Sequence, residues 1–462
     1  MTWLDTIYQW VWGIPMLILL LGNGLLLTVL LKGLQFRYLP YALRLIISSD
    51  KEQDSKVKGD ISNFESLMTA LAGALGIGNI AGVSTAFAVG GTGALFWMWV
   101  MALIGMATKY GEAILAVKYR VMDDRGEMCG GPMHFIERGL GWKWLAGAFA
   151  LFGAIASFGG GNMIQANSVA DVMMNLYHIP SWVSGVILAL ITGSILIGGI
   201  KSIGRFAAFM VPFMAVFYIG GGCLILLKSY DRIPDAILSV FQHAFTGQAA
   251  FGGFAGSTLL MTIQVGMSRG LMTSEAGLGT ASIAAAAAKT DFPGRQAMIS
   301  MTGSFIATIV LCTVTGLVLG VAGVQGALRP DGVPLNGASM TMAAFESAFP
   351  WGGYIVTIAL ILFALTTLLG WAYYGEKCLE YLFGTFSILP FRLIFTLIII
   401  PGAILDLEVV WKVADITNGL MAYPNLIGLT ALSGVILKET KTFLQVVKNE
   451  TGSSSSNDFH CA

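Results

Sequence analysis

The chain has 462 residues, 56% of them hydrophobic and only 11% charged, with a net charge of zero and a mean hydropathy of +0.76. Soluble domains carry about 25% charged residues, so this composition excludes a soluble globular protein and implies a polytopic membrane protein in a lipid bilayer. The absence of any basic or acidic block argues against nucleic acid as a partner, and the 5 scattered cysteines and 4 isolated histidines offer neither a disulfide framework nor a metal motif.

Met1–Gly13 holds one acid, Asp5, and no Lys or Arg; Ile14–Leu31 is a long apolar run. A cleaved signal peptide would have a positive start and a shorter core, so this run reads as a retained first span. Lys32–Ser62 is a polar connection whose Tyr38–Ile47 patch is amphipathic, suited to a membrane surface. Further windows of about 20 residues, the length a bilayer requires, follow near 63–90, 93–118, 144–176, 181–200, 207–227, 251–285, 297–324, 352–375, 385–405 and 412–437. With the first, that makes 11 spans.

Charge tests this count independently, because Lys and Arg concentrate in cytoplasmic loops. With the N-terminus outside, Lys228, Arg232 and Arg329 alone fall on outside loops. Lys109 and Lys412 fall within spans, and the rest of the 26, Arg269 included, fall inside. The C-terminus is then inside. The 451–462 tail, with its SSSSN run, reads as disordered.

Two windows are interrupted. In Thr69–Gly90 the centre is Gly76-Ile77-Gly78-Asn79-Ile80-Ala81-Gly82, and each glycine weakens a helix interior by about 1 kcal/mol relative to alanine. Lipid does not tolerate loose backbone, so such a break must face protein or a polar cavity. The competing reading is that these glycines only let helices pack closely. In Phe251–Ala285 the apolar run stops at Gly266-Met267-Ser268-Arg269-Gly270 and resumes after Glu275. Each interrupted window opens a set of five spans, and five is odd, so the second set is inverted relative to the first. Paired broken helices in two inverted halves point to a secondary transporter. The chain divides into 1–62 (extra helix and linker), 63–230 and 231–438 (the repeats), and 439–462 (a cytoplasmic tail).

Six strings carry a family resemblance: TALAGALGIGNIAGV at 69–83, FWMWVMALIGMATKYGEAILAVKYR at 96–120, GGPMHFIERGLG at 130–141, GGGNMIQANSVA at 159–170, RGLMTSEAGLG at 269–279 and LLGWAYYGEKCLEYLFG at 368–384. The chain closely resembles the alanine/glycine:cation symporter family, the sodium:alanine symporters. The resemblance implies an all-α, LeuT-like 5+5 inverted repeat preceded by one extra helix. It also implies uptake of alanine or glycine driven by sodium, or sometimes by protons, with no prosthetic cofactor. One departure is Thr273-Ser274-Glu275-Ala276-Gly277, where the family more often reads SNEAG.

An amino acid needs a site for its carboxylate and one for its ammonium. The free N–H groups of Gly76, Ile77 and Gly78 suit the carboxylate. Asn79 either offers its carbonyl oxygen to the ligand or caps the second half-helix. Phe158, Asn162 and Gln165 fall at i, i+4 and i+7 on one helical face, as substrate ligands or as interhelical glue; the resemblance favours the substrate site. Gln264 and Met267 flank the expected second break and are expected to line the pocket opposite the first, unless Met267 only packs. Thr366 and Thr367, with the carbonyls of Ala72 and Leu75, make an oxygen cage for Na⁺, unless the hydroxyls bond back to their own helix. Trp371 either caps the pocket or packs. Arg269 and Glu275 read as an inner gate or a structural ion pair beyond the central site. Lys109 and Glu112, three apart, read as an ion pair. With no carboxylate expected at the centre, Na⁺ is favoured over a proton. A channel would need a continuous polar lining, usually built by symmetric oligomers, whereas here the polar groups cluster at two breaks of one chain, expected to work as a monomer. An enzyme would need a catalytic constellation. The short loops fit a bacterial inner membrane.

Overall fold

The computed structural model describes residues 3–48, 58–249, 256–328, 332–405 and 408–452. Residues 251–255 of the second interrupted window, Lys51, Lys56, Arg329 and the tail from 453 lie outside the described residues. The chain is almost entirely helical, with one short hairpin, Val121–Met122 paired with Met128–Cys129. Among the described residues seven helices are long and apolar enough to cross a membrane, from Thr6–Leu30 to Thr385–Ile404. An eighth candidate is the pair Val409–Ala431 and Ser433–Glu450, bent by 63°. Ser181–Leu196 is apolar but shorter. The N-terminal helices Trp3–Val11 and Ile14–Leu30 pack on Glu408–Ala431 and Ala94–Lys118. There Asn23 Nδ2 donates to Leu426 O (3.1 Å) and Thr430 Oγ1 (2.8 Å).

The first break forms where the glycines are. A capping box, Ser62 with Glu65, starts Asn63–Ala74. Gly76 is extended, Ile77–Asn79 makes one 3₁₀ turn, and Ala81–Gly90 resumes the helix. Close crossing fixes this span against Gly352–Phe383: a Cβ on Gly370 would lie 2.7 Å from the Gly73 nitrogen.

The second break is displaced from its expected position. Gly266–Gly270 is regular helix inside Leu259–Ser274. The chain unwinds at Glu275–Gly279 instead, where Glu275 (φ 54°), Gly277 (φ 103°) and Gly279 (φ 82°) are left-handed, and Thr280–Ala286 follows. The glycines at 266 and 270 serve packing. A Cβ on Gly266 would meet Ala94 O at 2.5 Å, and one on Gly270 would meet Met101 Cβ at 3.0 Å. That is the small-xxx-small device, which sequence alone does not distinguish from a break. Beyond the breaks the two broken spans join near their ends: Lys289 N donates to Ile61 O (2.8 Å), and Asp60 N to Ala287 O (2.8 Å).

A third departure from regular helix is a π segment, Gly159–Met163, between Lys143–Phe158 and Ile164–Tyr177. Two positions assigned to inside loops by charge are also corrected. Arg269 lies within the Leu259–Ser274 helix, and Lys377 is buried in Gly352–Phe383. There Lys377 Nζ meets Glu380 (2.8 Å), Glu127 (3.4 Å) and Asp123 (3.7 Å), which ties the hairpin to the long helix.

Candidate functional site

The two breaks face a common cavity of about 290 Å³. Gly76, Ile77, Gly78 and Gly82 line it from the first broken span; Arg269, Met272, Thr273, Glu275 and Leu278 from the second. Ile164, Gln165, Thr367, Trp371, Trp411 and Asp415 close the other sides. A Cβ on Gly78 or Gly82 would meet nothing nearer than 4.0 Å. These two glycines are therefore not packing contacts: their backbone is open to the cavity.

The first break supplies donors unequally. Gly76 N already donates to Ala74 O (3.0 Å) and Asn79 Oδ1 (3.2 Å). The amides of Ile77 and Gly78 open the turn, as at any helix start. Asn79 is fully buried and does not line the cavity. Its Oδ1 caps the turn, and its Nδ2 donates to Ala307 O (3.2 Å) and to Cys312 Sγ (3.4 Å). Asn79 thus joins the break to a second π segment, Phe305–Cys312.

The expected face Phe158–Asn162–Gln165 is split. The π segment inserts a residue into the turn and rotates Gln165 away from the other two. Gln165 Nε2 donates five residues back to Gly160 O (3.0 Å), and its Oε1 is a buried acceptor without a partner at the cavity wall. Asn162 Nδ2 donates to Phe395 O (2.6 Å), and Phe158 packs edge-on against Phe391. Both face Ile388–Ile404, so glue is the reading for these two.

The threonine pair also divides. Thr367 Oγ1 lies 3.2 Å from Ala72 O and 3.4 Å from Leu75 O, which gathers one hydroxyl and two carbonyls. Thr366 Oγ1 turns away, donating to Leu362 O (3.1 Å) and Phe363 O (3.0 Å) of its own helix. Trp371 lies over the π segment so closely that a Cβ on Gly161 would sit 2.3 Å from its Cβ.

In the second broken span, Met267 is fully buried and away from the cavity. Gln264 lines a separate recess with Tyr8, Trp12 and Arg269. Both positions follow from the displaced break, which lies more than a turn further along. Arg269 and Glu275, expected beyond the site, line the cavity itself; the absence of a central carboxylate is thereby overturned. Thr273 Oγ1 pairs with Thr308 Oγ1 (3.0 Å), and Ser274 Oγ bonds Gly270 O (2.7 Å), so the Thr-Ser variation caps the end of that helix. Lys109 and Glu112 are not ion-paired with each other. Lys109 Nζ donates to Ser274 O (2.9 Å), while Glu112 Oε1 accepts from Gly277 N (3.0 Å) and Asn425 Nδ2 (2.6 Å). Both buttress the second break.

Sequence reading missed Asp415, Asn418 and Trp411. The signal was present, since a carboxylate within an apolar span marks function by default. Asp415 Oδ1 and Asn418 Oδ1 are buried acceptors without partners among the described residues.

A helical bundle with a cavity between two broken spans is the architecture of LeuT-type secondary transporters. The crystal structure of MhsT in complex with L-phenylalanine has this fold, with a TM-score of 0.61 at 15% identity over 83% of this chain and 93% of that one. The chain belongs to the sodium:alanine symporter family, whose sequence profile matches residues 1–457. The sodium/alanine symporter AgcS of Methanococcus maripaludis is 53% identical over 96% of this chain and 98% of its own. The probable sodium/glutamine symporter GlnT of Bacillus subtilis is 33% identical over 95% and 89%. The protein is a membrane transporter and not an enzyme.

Proposed function

We propose that this protein imports a small neutral amino acid, alanine or glycine, together with Na⁺ by alternating access. The observation that carries the reading is the cavity, with open backbone at Gly78 and Gly82 on one side and Thr367 Oγ1 against the Ala72 and Leu75 carbonyls on another. The substrate carboxylate takes the amides of Ile77 and Gly78. The unpartnered Gln165 Oε1 accepts from the ammonium. Na⁺ sits among Ala72 O, Leu75 O and Thr367 Oγ1. Trp371, Ile77, Ile164 and Leu278 leave room for a small side chain only. The relatives' names span alanine and glutamine, so the size of this wall is what sets the choice here.

The eleven-span count, N-terminus outside and C-terminus inside, the repeats at 63–230 and 231–438, the plasma membrane and a monomeric unit complete the reading. Each of the eleven windows holds helix, two of them broken at the cavity. One observation favours a second reading: Glu275 at the cavity wall gives proton coupling a carrier.

Labelled L-alanine uptake into proteoliposomes under a Na⁺ gradient, a proton gradient or neither decides between them. Accumulation above equilibrium only with inward Na⁺ is expected. Accumulation with the proton gradient alone would replace sodium by protons, and no accumulation under any gradient would overturn the substrate.

A further inference from the structure

The second break carries a charge imbalance. Lys109, Glu112 and Glu275 are each 1% exposed. Lys109 lies within the fields of both carboxylates. With all three ionised, one ammonium faces two carboxylates and one negative charge is left to be balanced. The other charged groups at the cavity, Arg269 and Asp415, are opposite in sign and offset each other. A buried charge without compensation is too costly to persist, so a proton or a metal cation must balance it.

Glu275 is where it belongs. Glu112 is engaged by Gly277 N and Asn425 Nδ2, whereas neither carboxylate oxygen of Glu275 has a hydrogen-bond partner. The hydroxyls of Thr280 and Tyr374 reach the Glu275 carboxylate, but in geometry that falls short of a well-formed hydrogen bond among the described residues. Four oxygens thus stand together behind the cavity wall, which Glu275 itself lines. A proton would occupy one oxygen and leave the rest as they are. Oxygen ligands in this number suit a hard metal cation, and the single excess charge suits a monovalent one.

We propose that Glu275, with Thr280 and Tyr374, holds a sodium ion at the second helix break, distinct from the one at Thr367. This rests on the reading of the protein as a sodium-coupled symporter. The two positions are linked along one helix. Thr367 and Tyr374 are seven residues apart, on one face of Gly352–Phe383. Both press on the first broken span: a Cβ on Gly76 would lie 2.8 Å from Thr367 Oγ1, and one on Gly73 2.8 Å from Tyr374 Oη. Sodium at Glu275 also steadies the turn that Lys109 holds through Ser274 O. Both breaks are then fixed by sodium before the cavity closes on substrate.

The test is equilibrium binding of radiolabelled sodium to the purified full-length protein at saturating L-alanine, beside sodium titration of uptake in proteoliposomes. Glu275→Gln is expected to bind one sodium fewer than wild type and to lose steepness in the sodium dependence of uptake. Glu275→Asp and Tyr374→Phe are expected to keep the ion count with weaker sodium affinity, and they answer the question if Glu275→Gln does not fold. An unchanged ion count in a monodisperse Glu275→Gln overturns the site. So does an unchanged count with a lost pH dependence of uptake, which would make Glu275 a proton carrier. Wild type that neither binds sodium nor accumulates alanine overturns the functional reading itself, an outcome separate from any difference between the variants.

Discussion

Neighbouring threonines with opposite duties give the sharpest test at single positions. Thr367 Oγ1 reaches the carbonyls of Ala72 and Leu75 across a helix crossing, while Thr366 Oγ1 bonds within its own helix. Thr367→Val removes an oxygen from the proposed cage and is expected to weaken the apparent sodium affinity about tenfold or more, a loss of about 1.4 kcal/mol. Thr366→Val removes only a back-bond and is expected to leave the sodium titration of alanine uptake in place. Loss of sodium dependence in Thr366→Val alone would move the cage. Asn162→Ala belongs with the structural class. It deletes the bond to Phe395 O, costs about 1–3 kcal/mol by stranding a buried acceptor, and is expected to lower Tm in detergent with KM for alanine unchanged.

Among helices, what could be read from the sequence depended on what each glycine does. At the first break Gly76, Gly78 and Gly82 fall together, and two of them have no packing neighbour, so their pattern and their role coincide. At the second, Gly266 and Gly270 imitate a break but are spent on contact with Ala94–Lys118. The real break is built on a non-glycine residue in left-handed geometry, Glu275, which no propensity rule would select. Gln165, a polar group in an apolar span, lines the cavity, but its grouping with Phe158 and Asn162 assumes 3.6 residues per turn. The π segment between them breaks that period. The two glycine classes respond differently to substitution. Gly266→Val drives a side chain into Ala94 O and Trp97, and overpacking of this kind costs about 1–3 kcal/mol; a fall in Tm is expected. Gly78→Ala meets only Thr273 Cγ2, at an unstrained 4.0 Å, and is expected to keep Tm while raising KM for alanine, because the methyl occupies cavity space. Equal Tm losses in both would mean that Gly78 is a packing residue after all.

At the scale of the whole molecule, charge asymmetry is what argues for a topology. The few residues it misassigned are informative, because Arg269 and Lys377 are inside the protein for reasons of function and of tethering rather than orientation. Arg269 lines the cavity, and Lys377 gathers three carboxylates that hold the hairpin at 121–129. Removing both from the loop count still leaves the asymmetry intact. It therefore predicts that Arg232 and Lys438 lie on opposite faces of the membrane, with five spans between them. In a Cys223→Ser background, which removes the one exposed cysteine among the described residues, Arg232→Cys is expected to react with a membrane-impermeant maleimide from outside intact cells. Lys438→Cys is expected to react only after permeabilisation. Parity makes the outcome decisive. Labelling of both from outside would require an even number of spans between them, and the second repeat could not then be the inverted partner of the first. Exchanged labelling would keep the odd number and the repeat but reverse the protein, so that the separate recess beside Tyr8 and Trp12 would face the cytoplasm.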